Sequence, residues 1–173
     1  MGWLVIAGVV FGGVYYFTDL RLMTRLYLQS ASETADSGEG RVDQLVAAGG
    51  DGMVRLRAAE NGHFLSEAEI NGRPVNVVVD TGATGVALTY EDAREIGLRL
   101  SEEDFTMESQ TANGISRIAP IMLDKVQIGD IEVRDVEAFV AQPGRLFQTL
   151  LGMSFLKRLS HIDIRGQELI LAQ

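Results

Sequence analysis

This sequence predicts a mainly β fold, a closed barrel with one flap hairpin and short helices, preceded by an N-terminal transmembrane helix. Three observations carry that prediction. From Met53 onward, short apolar runs alternate with Gly- and Asn-marked turns, the pattern of many short strands closing on themselves. In the same region only the segments after Thr89 and after Gly152 carry helical signals. Ahead of it, Trp3 to Phe17 is an uncharged, strongly apolar run.

Taken in order, Met1 to Thr18 gives 18 residues, near the lower limit for a spanning helix. Trp3 at one end and Tyr15-Tyr16 at the other suit the two membrane interfaces. A cleaved signal peptide is the competing reading. It calls for a basic start and a small-x-small site close behind, whereas Asp19 to Gln29 is charged and amphipathic. A buried core helix is the other alternative. Leu20 to Leu28 extends the helix toward the interface, so residues 1–29 are expected as anchor and juxtamembrane helix. Residues 30–50, beginning with the small, acidic run Ser30 to Gly40, are expected as a flexible tether with too little apolar surface to order itself. Residues 51–173 are the expected folded domain. Roughly 120 residues are enough for one modest core.

Within it, His63 to Ile70 alternates in part, and Asn71-Gly72 marks a hairpin before Pro74 and the strand Val75 to Val79. Val86 to Leu88 is a short apolar piece. Thr89 is an N-cap with Asp92 three residues on, opening a helix that Gly97 closes. Phe105 to Gln110 and Ile115 to Ile121 flank Thr111-Ala112-Asn113-Gly114, where Asn-Gly supplies a type I′ hairpin tip. Val126 to Ile128, a Gly129-Asp130 turn and Ile131 to Ala141 form another hairpin. Met153 to Leu159 is the late helix. Ile162 to Ile164, an Arg165-Gly166 turn and Leu169 to Leu171 finish the domain, with Asp163 expected to point outward.

Composition excludes several functions. With 15 basic and 24 acidic residues the formal charge is −9, and no basic cluster exists to bind phosphates, so no nucleic-acid partner is expected. There is no cysteine, hence no disulfide and no thiolate metal site. His63 and His161 stand far apart without metal-ligand spacing, and Gly49-Gly50-Asp51-Gly52 lacks the Lys and following helix of a phosphate loop. Glu102-Glu103-Asp104 is expected as a solvated acidic turn. No metal and no cofactor are expected.

The most informative run is Val78-Val79-Asp80-Thr81-Gly82-Ala83. An apolar strand that ends on a carboxylate must give it hydrogen bonds, and Gly82 lets the backbone turn amides toward it. Read alone, Asp80 is an ordinary turn residue bonding amides two positions on. Two further segments follow in order: Gln110 to Gly114 between strand-like runs, and Leu150-Leu151-Gly152-Met153-Ser154-Phe155-Leu156, two apolar residues and a glycine leading into a helix.

Together, over about Gly62 to Ala172, these segments resemble the retropepsin-like, retroviral-type aspartic proteases, in particular their bacterial membrane-anchored single-domain members. The resemblance implies a barrel with one flap, and peptide hydrolysis by Asp80. Thr81, Gly82 and Ala83 would support the active-site loop. Thr111, Ala112, Asn113 and Gly114 would form the flap over substrate, and Leu150, Leu151 and Gly152 would pack behind the catalytic loop. Retroviral enzymes carry acidic residues after this turn and an Arg after the second glycine. Here those positions hold Thr84-Gly85 and Met153, so that ion pair is missing.

The chemistry needs two carboxylates on one water, and the sequence has one such loop. Asp36-Ser37-Gly38 lies in the polar tether with no apolar strand before it. The reading therefore requires a two-fold homodimer, acting on protein or peptide substrates. The alternative is a non-catalytic module of the same fold that binds peptides or dimerises. Arg21 and Arg25 after the span favour a cytoplasmic side there, whereas the resemblance implies a periplasmic catalytic domain on the inner membrane. The expectation is periplasmic.

Overall fold

Strand pairing explains most of this architecture. The computed structural model describes residues 46–49, 52–111 and 114–173, all within the unit Val42–Gln173. The expected anchor over 1–29 lies outside the described residues, as does most of the expected tether. Among the described residues no helix is long and apolar enough to cross a membrane.

The elements are β1 (Val46–Gly49), β2 (Met53–Arg57), β3 (Phe64–Ile70), β4 (Arg73–Val79), β5 (Val86–Leu88), α1 (Tyr90–Glu95), β6 (Met107–Thr111), β7 (Gly114–Ile128), β8 (Ile131–Ala141), β9 (Thr149–Leu151), α2 (Met153–Leu156), β10 (His161–Arg165) and β11 (Glu168–Ala172). One sheet runs β3-β4-β9-β5-β8-β7-β6, and a further pairing of β3 with β7 closes six of its strands into a barrel, leaving β6 outside the ring. A second, four-stranded antiparallel sheet runs β1-β2-β11-β10. The expected mainly β closed barrel is therefore present.

Turn chemistry sets the registers. Asn71 and Gly72 have φ of 49° and 79°, the left-handed pair a type I′ turn requires, and Ile70 faces Arg73 across it. Asn71 also reaches across to β7. Its N–H donates to the Lys125 carbonyl at 2.9 Å, and its Oδ1 accepts from the Lys125 N–H at 3.1 Å. The β3–β4 turn thereby fastens to β7 where the barrel closes. Gly129 (φ 54°) turns β7 into β8, and a Cβ there would stand 2.7 Å from Val54 Cγ2. Alternation does the rest: Ser66, Ala68, Ile70, Val75 and Val77 face inward with Leu123, Val126, Val136, Ala138 and Val140, while Val54, Leu56, Leu169 and Leu171 cover the core from the second sheet. Thr89 caps α1 as expected, its hydroxyl accepting from the Asp92 N–H, and Gly97 follows at φ 97°.

Several expectations are corrected. Val46–Gly49, inside the segment expected as tether, is a strand paired with β2. β7 is one continuous strand of 15 residues, not two apolar runs, because β8 pairs with it along most of its length. The late helix ends at Leu156; Arg158 and Leu159 donate to carbonyls only three residues back, tightening the chain toward β10. Arg165 pairs with Glu168, so the last turn is Gly166-Gln167. Asp163 does not project freely. It is half-buried, with its Oδ2 2.6 Å from Arg165 Nε. Glu102–Asp104 forms an exposed 3-10 turn, whose Asp104 Oδ2 accepts from the Ser101 N–H and hydroxyl, holding that carboxyl below its ordinary value.

At the barrel closure Lys125 Nζ lies 2.9 Å from Glu69 Oε1 and 3.6 Å from Glu132 Oε2. The Glu69 hydrogen bond, first of all, raises the ammonium above its ordinary 10.5. A raised ammonium contributes stability that is complete below the unfolded-state value and disappears as pH climbs through the folded-state one. The advantage of wild type over Lys125→Met in thermal unfolding is therefore expected to hold steady from neutrality to about pH 10 and to shrink above it. A gap that widens with alkalinity contradicts the assignment.

Candidate active site

Asp80 is the first residue beyond β4 and opens a turn in which the Ala83 N–H donates to its carbonyl at 3.3 Å. β9 runs parallel to β4, with Val77, Val78 and Val79 opposite Thr149, Leu150 and Leu151. The Asp80 N–H continues that ladder by donating to the Leu151 carbonyl at 3.1 Å. The carboxylate then folds back over its own loop, and Asp80 Oδ1 accepts from the Gly82 N–H at 2.8 Å. Oδ2 accepts no hydrogen bond among the described residues. Asp80 is half-buried, with Thr81 and Gly82 exposed and Ala83 half-buried beside it. One carboxylate oxygen is thus held by the loop.

The role of Gly82 differs in detail from the expected one. Its backbone is not left-handed. A Cβ there would lie 3.1 Å from Asp80 Oδ1, so the missing side chain makes room for the carboxylate on its amide. Space, not φ, selects glycine here.

Leu151 and Gly152 lie against this loop, and Leu150 between β4 and β5 is paired with Val78 and Ala87. Gly152 is buried, and a Cβ on it would overlap the Gly85 carbonyl oxygen and come within 2.7 Å of Gly85 C and 2.8 Å of Ala83 O. The Met153 N–H donates to the Ala83 carbonyl at 2.8 Å. Where the resemblance led one to look for an ion pair, between the positions of Thr84-Gly85 and Met153, the loop is instead fastened through main-chain atoms and close packing.

Sequence reasoning missed three contributors. Ser154, buried in α2, accepts the Val86 N–H on its Oγ at 2.9 Å. Thr149, fully buried, accepts the Thr89 N–H on its Oγ1 at 3.1 Å. Gly85 packs so closely on Phe139 that a Cβ would stand 2.7 Å from its Cε2. A glycine five residues past Asp80 and small hydroxyl residues on both sides of Leu150–Gly152 were visible signals, but each owes its meaning to a partner about fifty or more residues away.

Thr111 and Gly114 face each other at the end of the β6–β7 hairpin. Ala112 and Asn113, between them, lie outside the described residues. The hairpin therefore has the expected place in the chain and register, and Ile115 beside it is 70% exposed. His63 and His161 are both exposed, and among the described residues no group of three or more His, Asp or Glu side chains is arranged to hold a metal ion.

Comparison with known proteins bears on the family and the fold. The model of the family described as "gag-polyprotein putative aspartyl protease" matches residues 66–158. The chain is 43% identical over 130 residues to an uncharacterized protein in the cobV 5' region of a Sinorhizobium species. It is 38% identical over 120 residues to an uncharacterized protein of Rickettsia prowazekii (strain Madrid E). These matches take in 75% and 69% of this chain. The chain spans about half the length of these curated relatives, 56% and 51% respectively. Among solved structures, a retropepsin-like aspartic protease from Rickettsia conorii superimposes with a TM-score of 0.63 at 38% identity, covering 69% of this chain and 89% of that one.

The packing behind Asp80 yields a direct test. Gly152→Ala forces a methyl group into main-chain atoms that have no freedom to withdraw, so it is expected to destabilise by at least the ~1–3 kcal/mol typical of overpacking. Gly62→Ala, which adds only the strain of a left-handed backbone (φ 81°) with nothing within 4 Å of the added Cβ, is the comparison and should lose less in urea denaturation.

Proposed function

Because the chain belongs to the retropepsin-like aspartic protease family, we propose that it is an endopeptidase active as a homodimer in which each subunit contributes Asp80. The observation that carries this reading is the Asp80 loop itself. It is a single carboxylate at a strand end, backed by Leu151 and Gly152, with one oxygen held by the Gly82 amide and the other without a hydrogen bond among the described residues.

Two such carboxylates facing one water share a proton, since both cannot readily ionise at close range. Aspartic proteases are the standard case of this coupling. The ionised Asp80 takes a proton from the water as its oxygen attacks the scissile carbonyl carbon, and the protonated Asp80 of the other subunit donates to the carbonyl oxygen. Collapse of the resulting gem-diol breaks the C–N bond: the proton held on the first carboxyl passes to the leaving amine, and one diol hydroxyl returns its proton to the second carboxylate, restoring the shared-proton pair. In this reading Thr81 braces the loop at the dimer axis, Gly82 leaves room for substrate backbone, and Ala83 is the small residue that completes the turn. Thr111, Ala112, Asn113 and Gly114 close over an extended peptide and exclude water, with main-chain hydrogen bonds to the substrate and pockets for alternate side chains.

The same proposal takes residues 1–29 as a single-pass inner-membrane anchor, with the catalytic domain in the periplasm. Confinement to a bilayer raises the encounter rate of two subunits and of membrane-bound substrates.

The deciding experiment incubates wild type and Asp80→Asn with a diverse peptide mixture at high protein concentration and reads internal cuts by mass spectrometry. Cuts by wild type that vanish in the variant are expected. A folded dimer that cuts nothing moves the protein to the peptide-binding alternative. Specific activity of a fragment from Arg41 onward is expected to rise with concentration as dimers form. Tight dimers at nanomolar levels in sedimentation contradict the tethering argument.

A further inference from the structure

β5 has three residues and meets β9 in a single backbone pair, Ala87 with Leu150. So brief a ladder leaves other contacts to hold the two strands in line, although β5 also pairs with β8 and β9 with β4 over three residues each. On each side of that pair, however, an amide at the end of β5 donates to a buried side-chain hydroxyl in place of a strand carbonyl. The Val86 N–H goes to Ser154 Oγ at 2.9 Å, and the Thr89 N–H goes to Thr149 Oγ1 at 3.1 Å. Thr149 is 0% exposed and Ser154 6%. The Thr149 hydroxyl passes its own proton to a hydrogen bond with Asp92 Oδ2, and the Asp92 N–H returns to Thr89 Oγ1 at 3.0 Å. Three hydrogen bonds thus join Thr89, Asp92 and Thr149 in a closed cycle, fastening the start of α1 to β9.

Filling space does not require these hydroxyls; Val and Ala have nearly the same volumes as Thr and Ser. What the hydroxyls add is direction. On its opposite side β9 pairs with β4 and offers the Leu151 carbonyl to the Asp80 N–H. A lateral shift of β9 is therefore transmitted directly to Asp80. Thr149 and Ser154 bracket Leu150–Met153, the segment that supports the Asp80 loop, and each holds one end of it to β5.

We propose that Thr149 and Ser154 are positioning residues for Asp80. By accepting the Thr89 and Val86 amides they set where the Leu151 carbonyl and Gly152 stand beneath the catalytic loop, with Asp92 orienting the Thr149 hydroxyl. The kinetic consequence rests on the endopeptidase reading; the structural one rests on this geometry alone.

The test uses the full chain as wild type, Thr149→Val, Thr149→Ser and Ser154→Ala, with two readouts. The first is kcat and KM, separately, on one peptide drawn from those the wild type cuts. The second is hydrogen exchange of the Asp80 amide, which reports the Leu151 contact without needing catalysis. Thr149→Val is expected to lower kcat by about ten- to a hundredfold, the scale on which small misplacements of a reacting group act, with KM changed by less than about twofold. Thr149→Ser keeps the hydroxyl and should restore kcat to within about threefold of wild type, and Asp80 exchange should accelerate in Thr149→Val but not in Thr149→Ser. Unchanged kcat per folded dimer together with unchanged Asp80 protection overturns the proposal, even if the melting temperature drops, since that is a purely structural role. Should Thr149→Val not fold, Ser154→Ala carries the same two readouts with only the Val86 amide left unpartnered. If wild type cuts no peptide, the endopeptidase reading falls, and the exchange rates still decide the positioning claim.

Discussion

The hydrogen bond from the Asp80 N–H to the Leu151 carbonyl is the contact on which the geometry of the site depends. It extends the parallel ladder of β4 and β9 by one rung, and that rung converts a strand end into a held loop. Above it, the carboxylate folds onto the Gly82 amide. Below it, Gly152 has no side chain, so the chain reaches the Gly85 and Ala83 carbonyls at contact distance. A buried N–H or C=O left without a partner costs about 1–3 kcal/mol. Disturbing the 149–154 segment takes partners from several amides at once, those of Asp80 and Met153 and the buried ones of Val86 and Thr89.

Barrel closure and site geometry are linked through β4. Its first residue follows the Asn71-Gly72 turn, which Lys125 anchors at the β3–β7 seam, and its last precedes Asp80. The strand is therefore fixed at one end by the closure of the barrel and at the other by β9. Because alternate residues Val75 and Val77 are buried, a slip of one residue would turn the apolar set outward, so the position of Asp80 along the strand is set by core packing as well as by hydrogen bonds.

Retroviral enzymes carry an ion pair between acidic residues after the catalytic turn and an Arg after the second glycine. With Thr84-Gly85 and Met153 in those positions, this chain uses neutral groups: a main-chain hydrogen bond from Met153 to Ala83, the Ser154 hydroxyl on the Val86 amide, and the contact of Gly85 with Phe139. Neutral hydrogen bonds in a packed interior are little affected by salt, unlike exposed charge pairs, so the loop is held in a way largely independent of ionic strength.

Local chemistry made the mainly β class, the Asn71-Gly72 hairpin, the Thr89 cap and the three motif segments legible from residues alone. Each depends on neighbours within a few positions, where turn dihedrals, capping bonds and two-residue alternation act directly. The placement of Asp80 at the end of an apolar strand belongs to the same class of information. Tertiary structure decided what acts across distance. It merged two apolar runs into the single long β7, because β8 offers a partner along most of that length. It laid β11 along β2, pairing Glu168 with Arg57 and Ala172 with Met53, segments far apart in the chain. It also gave Thr149, Ser154 and Gly85 their roles, since a hydroxyl or a missing Cβ has no meaning until the chain brings a particular amide or ring against it.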